Sequence, residues 1–378
     1  MENRPLNTAR SIKFQNGKLK IMHITDTHME DENIDYSLVL IKNACDIEKP
    51  HIAIVTGDNV LNYDDAEKTK SYISRFMKIF SDRNIPVAIT FGNHDSEVGL
   101  LSRRELMAFY NTFDCSITNG NGKELSETGT FNIPVLSGDG SKMKFNLWVF
   151  DSGDYDNAGH YGCMSAEDVE WYRQKSDQIT NENGKKVYSL AFQHIIVPEI
   201  YDVLKKVNSH KLYSFRHMYN KNEYYMFDPN QVNFGTLNET PCCGFPNHGQ
   251  FEAMVEKGDV LGIFSGHDHT NAFAVKYKGI DIGNSLSTRF NGDRFSTMYG
   301  YRILEVNENN TALYTTRIER WYNMYSGNDI KNLKATSDDF TVKVAKMVTR
   351  KGYVQRFMTK VGRTFTAIVT RRQVTYKD

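Results

Sequence analysis

The chain has 378 residues, 40% of them hydrophobic and 24% charged, and its 46 Lys/Arg balance 46 Asp/Glu. That composition is close to the soluble globular average and supplies a sizeable core, while the absence of repeats and biased tracts excludes a low-complexity chain. No stretch approaches the roughly 18 apolar residues of a membrane span, and the five cysteines (Cys45, Cys115, Cys163, Cys242, Cys243) form no CxxC pair, a usage that fits reduced thiols in a cytoplasmic protein.

The opening segment MENRPLNTARSIKF has no apolar centre, which argues against a secretory leader. Short apolar runs then recur, rich in β-branched residues and each ending in Gly, Asp, Asn or His. LKIMHITD (19–26), HIAIVTGD (51–58), VAITFGN (87–93), KFNLWVFDSG (144–153), VYSLAFQH (187–194) and VLGIFSGH (260–267) read as buried strands. Between them, residues 36–49 form an amphipathic pattern stopping before Pro50. Residues 66–84 repeat apolar side chains at Ile73, Phe76, Met77 and Phe80, and SAED at 165–168 is a helix-opening capping pattern. GIDIGNS and the hairpin-like stretch 299–320, turning at Asn307–Asn310, read as later strands. Alternating strand and helix predicts an α/β sandwich, whose ligands sit beyond the carboxyl ends of strands.

Two segments differ. Residues 200–250 are rich in Tyr and Asn with weak periodicity and read as a long loop insert beside the active site. Residues 331–378 carry 12 Lys/Arg against 3 Asp/Glu, which leaves 34 against 43 for the rest. This basic appendage, separate from a catalytic portion at 1–330, suits docking onto an acidic body or a solvated face. Within it, Ser337 is expected to cap a helix ending near Gly352, and residues 365–376 read as a strand.

The polar residues at the strand ends carry the chemistry. Successive strand side chains alternate faces, so Asp26 and His28 point together and can hold one ion. His267 and His269 repeat that spacing. Gly57-Asp58, Gly92-Asn93-His94-Asp95 and His194 close three further strands. Singly, each piece is more often a turn or a satisfied core residue. Five pieces in order, each after a strand, predict a dinuclear metal centre.

These pieces resemble the calcineurin-like metallophosphoesterase family, whose pattern is D-x-H, GD, GNH(D/E), H and GHxH. The likeness covers about residues 19–320. CCGFPNHGQFEAMVEKGDVLGIFSGHDHTNAF (242–273) and FDSGDY (150–155) are similar to its purple-acid-phosphatase-like branch. The resemblance implies a four-layer α/β/β/α sandwich with two mixed sheets. It implies that Asp26, His28 and His269 hold one ion, that Asn93, His194 and His267 hold the second, and that Asp58 bridges them. The imidazole and oxygen donors suit two divalent ions, with Mn, Fe or Zn foremost. The residue three beyond Asp58, where purple members carry an iron-ligating Tyr, is Leu61 here. A divalent pair and a colourless protein are therefore expected.

The activity implied is hydrolysis of a phosphomonoester or phosphodiester by direct attack of a metal-bridging hydroxide. His94, beside Asn93, is assigned to transition-state stabilisation and leaving-group protonation, with Asp95 orienting it. Arg289, His217, His248 and Tyr155 are candidates for substrate contact, and Tyr161 for the pocket wall. The expected partner is a small phosphoester or a phosphoprotein. A nuclease using the basic tail is the alternative, disfavoured by the acidic body. A non-catalytic metal-binding interaction module would be marked by a lost ligand, and none is lost.

Overall fold

The computed structural model describes residues 11–31, 34–61, 65–97, 99–118, 129–210, 214–228, 232–290, 298–350 and 354. In chain order the elements are β1 (Ile12–Lys13), β2 (Lys18–Ile24), α1 (Ile34–Glu48), β3 (Ile52–Thr56), α2 (Ala66–Ser81), β4 (Val87–Thr90) and α3 (Arg103–Tyr110). β5 (Phe131–Leu136), β6 (Met143–Val149), α4 (Ala166–Asn183), β7 (Ser189–Phe192), α5 (Ile200–Val203), β8 (Lys205–Val207), β9 (Phe215–Arg216), β10 (Tyr224–Met226) and β11 (Val232–Thr236) follow. α6 (Gln250–Lys257), β12 (Val260–Ser265), β13 (Ala272–Tyr277), β14 (Ile280–Asn284), β15 (Gly300–Asn307), β16 (Asn310–Arg320) and α7 (Gly327–Thr336) complete the set.

Two mixed sheets stack face to face. One has the order β16-β15-β2-β3-β4, and the other β1-β5-β6-β7-β12-β14-β13-β11. β2, β3 and β4 are parallel, as are β6, β7, β12 and β14. The period of two places Leu19, Ile21, Ile52, Ile54 and Ala88 between the sheets, against Phe145, Leu147, Leu190, Phe192 and Phe264. The intervening residues Met22, Ile24, Ala53, Val55, Val87 and Ile89 face the other way, into a core shared with α1, α2 and α3. Trp148, Ala191, Ile263 and Ile282 pack outward against α4 and α6. The result is the expected α/β/β/α sandwich. Each fully buried Phe or Ile in these layers contributes about 1.5–3 kcal/mol.

Local signals set the helix ends. The Asp65 side chain accepts from the Glu67 and Lys68 amides at the start of α2. That helix stops at Ser81, short of the expected 84, because Asn84 turns left-handed (φ 53°) and the Ile85 amide returns to the Phe80 carbonyl. α1 ends where Lys49 turns left-handed (φ 49°) before Pro50.

The 200–250 stretch is more ordered than its composition suggests. It holds α5, the small sheet β8-β10-β9, and β11, which joins the edge of the large sheet beside β13. Tyr201, His217 and Tyr225 stack where aliphatic periodicity is missing. Residues 339–350 are helical, and Val344, Ala345 and Val348 are buried in the α1–α2 core. The side chain that caps this helix is Asp338, which accepts from the Thr341 amide, and not Ser337, whose amide closes α7. The strand expected at 365–376 lies outside the described residues. No helix among the described residues is long and apolar enough to cross a membrane.

Between the sheets the filling changes from apolar to polar toward one end. Past Ile21, the inward side chain of β2 is His23, bonded to Ser285 Oγ and Thr56 Oγ1 at 2.8 Å each. Arg302, its cross-strand neighbour, is buried and donates to Ser285 Oγ and to the carbonyls of Phe273 and Asn284. Burial, with Arg302 adding, lowers His23 to a pKa of about 3, so it stays neutral. This polar layer underlies the site.

Candidate dinuclear metal centre

Five strand ends converge in the seam between the two sheets. Asp26 and His28 follow β2, Asp58 follows β3, and Asn93 follows β4. His194 follows β7, while His267 and His269 follow β12. The backbone must turn sharply to aim these side chains. Asp26 (φ 52°), His28 (φ 42°), Asp58 (φ 50°) and His267 (φ 68°) all adopt the left-handed region. Such residues cost on the order of 1–3 kcal/mol each and persist where surrounding contacts fix them. Here the Asp26 and His28 amides donate to the Gly57 and Asp58 carbonyls at 3.0 and 2.9 Å. Gly57 itself is left-handed, and a Cβ there would lie 2.0 Å from the Gly92 amide nitrogen, so only glycine lets the ends of β3 and β4 approach.

Two triads result. The ligand atoms of Asp26, His28 and His269 lie within 4.8 Å of one another, as do those of Asp58, His194 and His267. His28 Nε2 is 3.0 Å from His269 Nε2 and 3.7 Å from Asp26 Oδ1. Asp58 Oδ2 is 3.1 Å from His194 Nε2 and 3.9 Å from His28 Nε2, so one carboxylate oxygen reaches both triads. Asn93 Oδ1 is 3.2 Å from His194 Nε2.

The wiring leaves one face of each carboxylate bare. Asp26 Oδ2 accepts from Thr25 Oγ1 and the His267 amide, and Asp58 Oδ1 from the His94 amide. Asp26 Oδ1 and Asp58 Oδ2 are buried and accept no hydrogen bond. Buried carboxylate oxygens without donors are costly unless a cation meets them. His194 Nδ1 donates to the Thr56 carbonyl at 2.7 Å, which turns Nε2 toward Asp58. Burial alone would raise Asp26 and Asp58, yet His194 and its neighbouring imidazoles hold both well below the usual carboxylate range. In return, against burial, Asp58 and Asp26 hold His194 up at about 9. His28 and His267 are lowered, chiefly by burial. The pocket thus concentrates negative charge and lone pairs on one small volume, and this nitrogen and oxygen donor set fits two divalent transition ions.

A family model described as calcineurin-like phosphoesterase matches residues 19–271, a span containing every residue of both triads. The chain belongs to the calcineurin-like phosphoesterase family. A protein named "Probable inactive purple acid phosphatase 29" from Arabidopsis thaliana is 24% identical over 308 residues, covering 72% of each chain. The phosphatase DCR2 of Saccharomyces cerevisiae is 24% identical over 229 residues, 54% of this chain and 39% of its own. A crystal structure of a dimetal phosphatase from Danio rerio superposes with a TM-score of 0.50 at 10% identity, covering 79% of this chain and 98% of that one, and so shares the fold.

Around these triads the remaining sequence candidates divide. His94 sits at the mouth, its side chain 34% exposed and its ring 5.4 Å from that of His28. Its expected partner does not reach it. Asp95 is buried and turned inward, where Oδ2 accepts from the amides of Asp58 and Gly92 and Oδ1 from that of Asn59. Burial, with Asp58 beside it, raises Asp95 to about 6. It is a clasp on the two turns. The carboxylate on His94 Nδ1 is that of Glu97, three residues on in the same 3₁₀ turn. A GNHD reading ends two residues short of it.

Tyr155 is at the site, where its hydroxyl oxygen accepts from Asn93 Nδ2 at 2.9 Å and so fixes which way that amide faces. Tyr161 packs edge-on against His267, with ring centres 4.3 Å apart. Arg289 is in the neighbourhood, but its guanidinium pairs with Glu30 at 2.6 Å instead of standing open to a phosphate. His217 is not brought to the triads. Its Nδ1 accepts from the Tyr219 and Asn220 amides inside the 200–250 region. His248 is exposed in the turn before α6. A residue with no sequence signal beyond the GHDH run is Asp268. It accepts from the Cys242 amide and from Asn271 Nδ2, tying the 242–243 segment to the histidine doublet.

Proposed function

We propose that this protein is a metal-dependent phosphoesterase that hydrolyses a phosphomonoester or phosphodiester by direct, in-line attack, without a covalent phosphoenzyme. The observation that carries the reading is the pair of buried, donor-free oxygens, Asp26 Oδ1 and Asp58 Oδ2, each facing imidazole nitrogens. Asp26, His28 and His269 would hold one ion, Asn93, His194 and His267 the other, and Asp58 both. When bound, such a pair supplies positive charge for phosphoryl oxygens and lowers the pKa of water.

The chain's own residues would do the rest. Thr25 and the His267 amide fix Asp26, and Thr56 fixes the tautomer of His194. Tyr155 orients Asn93. Glu97 on Nδ1 of His94 leaves Nε2 to donate a proton to the leaving alcohol oxygen. Residues 1–330 constitute the catalytic portion in this reading. The basic stretch from 331 onward is an appendage that begins inside α7 and docks on the body through helical residues 339–350.

The plant relative's name contains the word inactive, whereas this chain carries all seven side chains of the implied ligand set. The test is metal content together with hydrolysis of p-nitrophenyl phosphate and bis-p-nitrophenyl phosphate in added manganese, for wild type and Asp58→Ala. Turnover of either ester that Asp58→Ala abolishes is expected. Bound metal without turnover of any ester would refute the catalytic reading.

A further inference from the structure

The second triad opens onto a strip of aromatic rings, of which the hydrolytic reading uses only the Tyr155 hydroxyl. Tyr161 lies against His267, and Tyr155, bonded to Asn93, faces Tyr161 with ring centres 5.4 Å apart and planes 32° apart. The strip continues outward through the backbone. The Tyr161 amide donates to Tyr219 Oη, and the Phe245 amide to the Tyr161 carbonyl. His160, Tyr219 and Phe245 close a three-ring group with centres 5.0, 5.5 and 6.1 Å apart. Phe245 is 53% exposed and Tyr155 36%, although apolar rings of this size are ordinarily covered. A single antiparallel bridge between Tyr155 and Tyr161 fixes the backbone that carries the inner rings.

Its charge narrows the occupant. Glu97, Asp154 and Asp156 stand along the same rim, each beside a basic side chain, His94, Arg103 and His160 respectively. Each of those basic partners is already held by a carboxylate, so the rim is not set to receive a second anionic group such as a polyphosphate tail or a nucleic-acid backbone. A planar, uncharged ring loses nothing to them and gains stacking on Phe245 or the tyrosines. Resting on the phosphoesterase reading above, we propose that this strip seats a flat ring in the alcohol part of the substrate, so that the preferred substrate is a phosphomonoester bearing an aromatic ring.

The test compares kcat/KM of the metal-loaded protein for benzyl phosphate, adenosine 5′-monophosphate and glycerol 1-phosphate, all esters of aliphatic alcohols, so that leaving-group acidity does not favour the ring. One or both ring-bearing esters should exceed glycerol phosphate by about tenfold, the size expected of one stacking contact. The first source is a ring one carbon from the ester oxygen, the second a ring one sugar away, and the better ester tells which. In Phe245→Ala the ratio of ring-bearing to ringless ester should collapse toward one, and Phe245→Tyr should restore it. Independently of turnover, calorimetric titration of wild type should give about tenfold tighter binding of phenylphosphonate than of methylphosphonate. Hydrolysis of all three esters at equal efficiency, with equal affinity for both phosphonates, would overturn the ring seat while leaving the phosphoesterase reading intact. Tighter phenylphosphonate binding without hydrolysis of any ester would do the reverse.

Discussion

Replacing Gly92 with alanine adds one methyl group and removes no ligand, yet it should dismantle the proposed centre. A Cβ at this position would lie 2.2 Å from Asp58 Oδ1 and 2.7 Å from both Asp58 Cγ and His194 Cε1. Restoring ordinary contact requires the carboxylate to retreat by roughly 1 Å, whereas metal–ligand distances tolerate about 0.2 Å. Retreat also strains the bond from the His94 amide to Asp58 Oδ1. Overpacking of this kind costs about 1–3 kcal/mol of stability, and a ligand displaced this far should lower metal affinity at least as much as loss of an outer-shell partner, about 10–100-fold. The assay is metal analysis after dialysis against graded chelator, with thermal unfolding in parallel. Gly184→Ala is the control. It forces alanine into a left-handed conformation (φ 65°), which Gly92 does not adopt, but nothing lies within 4 Å of its Cβ at the end of α4. That variant should lose stability and keep its metal. If Gly92→Ala binds manganese with wild-type affinity and hydrolyses esters normally, Asp58 is not where the argument requires it to be.

Two further outcomes follow from the buried charges. Because Asp26 Oδ1 and Asp58 Oδ2 are buried without donors, removing divalent ions should lower the unfolding temperature, and manganese at about 1,000 times its dissociation constant should restore about 4 kcal/mol per site. Equal melting curves with and without chelator would contradict this. His23 is held at about 3 in the fold against an ordinary value near 6.5. The unfolded chain therefore takes up a proton that the folded one refuses, so this stability is present above pH 6.5 and is lost as pH falls toward 3. Between pH 7.5 and 5.5, urea denaturation of wild type should lose about 1.4 kcal/mol more than that of His23→Gln. Parallel pH dependences would refute a neutral buried His23.

Much of the centre was legible because one physical rule wrote it twice. β2, β3, β4, β7 and β12 are short, apolar and parallel, so each announces itself as a β-branched run, and each must end where polar groups can face a ligand. Asp26, His28, Asp58, Asn93, His194, His267 and His269 stand at those ends. What escaped depends on contacts between residues that no period links. Asp95 and Glu97 are equally acidic and both near His94. Only the fold decides that three amides claim the first and the imidazole the second. β8, β9 and β10 pair through their backbones, and strands this short, with the half-buried tyrosines confined to β10, give no alternation to read. β13 was hidden by its neighbour's motif, since AFAVKY begins only three residues after His269.

The Asp268 anchor has an implication for how such a protein can change. One of its oxygens holds the Cys242 amide at the foot of the 200–250 region and the other holds Asn271 Nδ2, while Asn271 Oδ1 adds a second rivet by accepting from the Asn238 and Glu239 amides. Beyond those points no described residue of the region belongs to either triad. Its outer turns are therefore free to be lengthened, trimmed or rewritten, altering what enters the cleft while the machinery beneath stays in register. A scaffold divided in this way permits new specificities to be grafted onto an unchanged reaction.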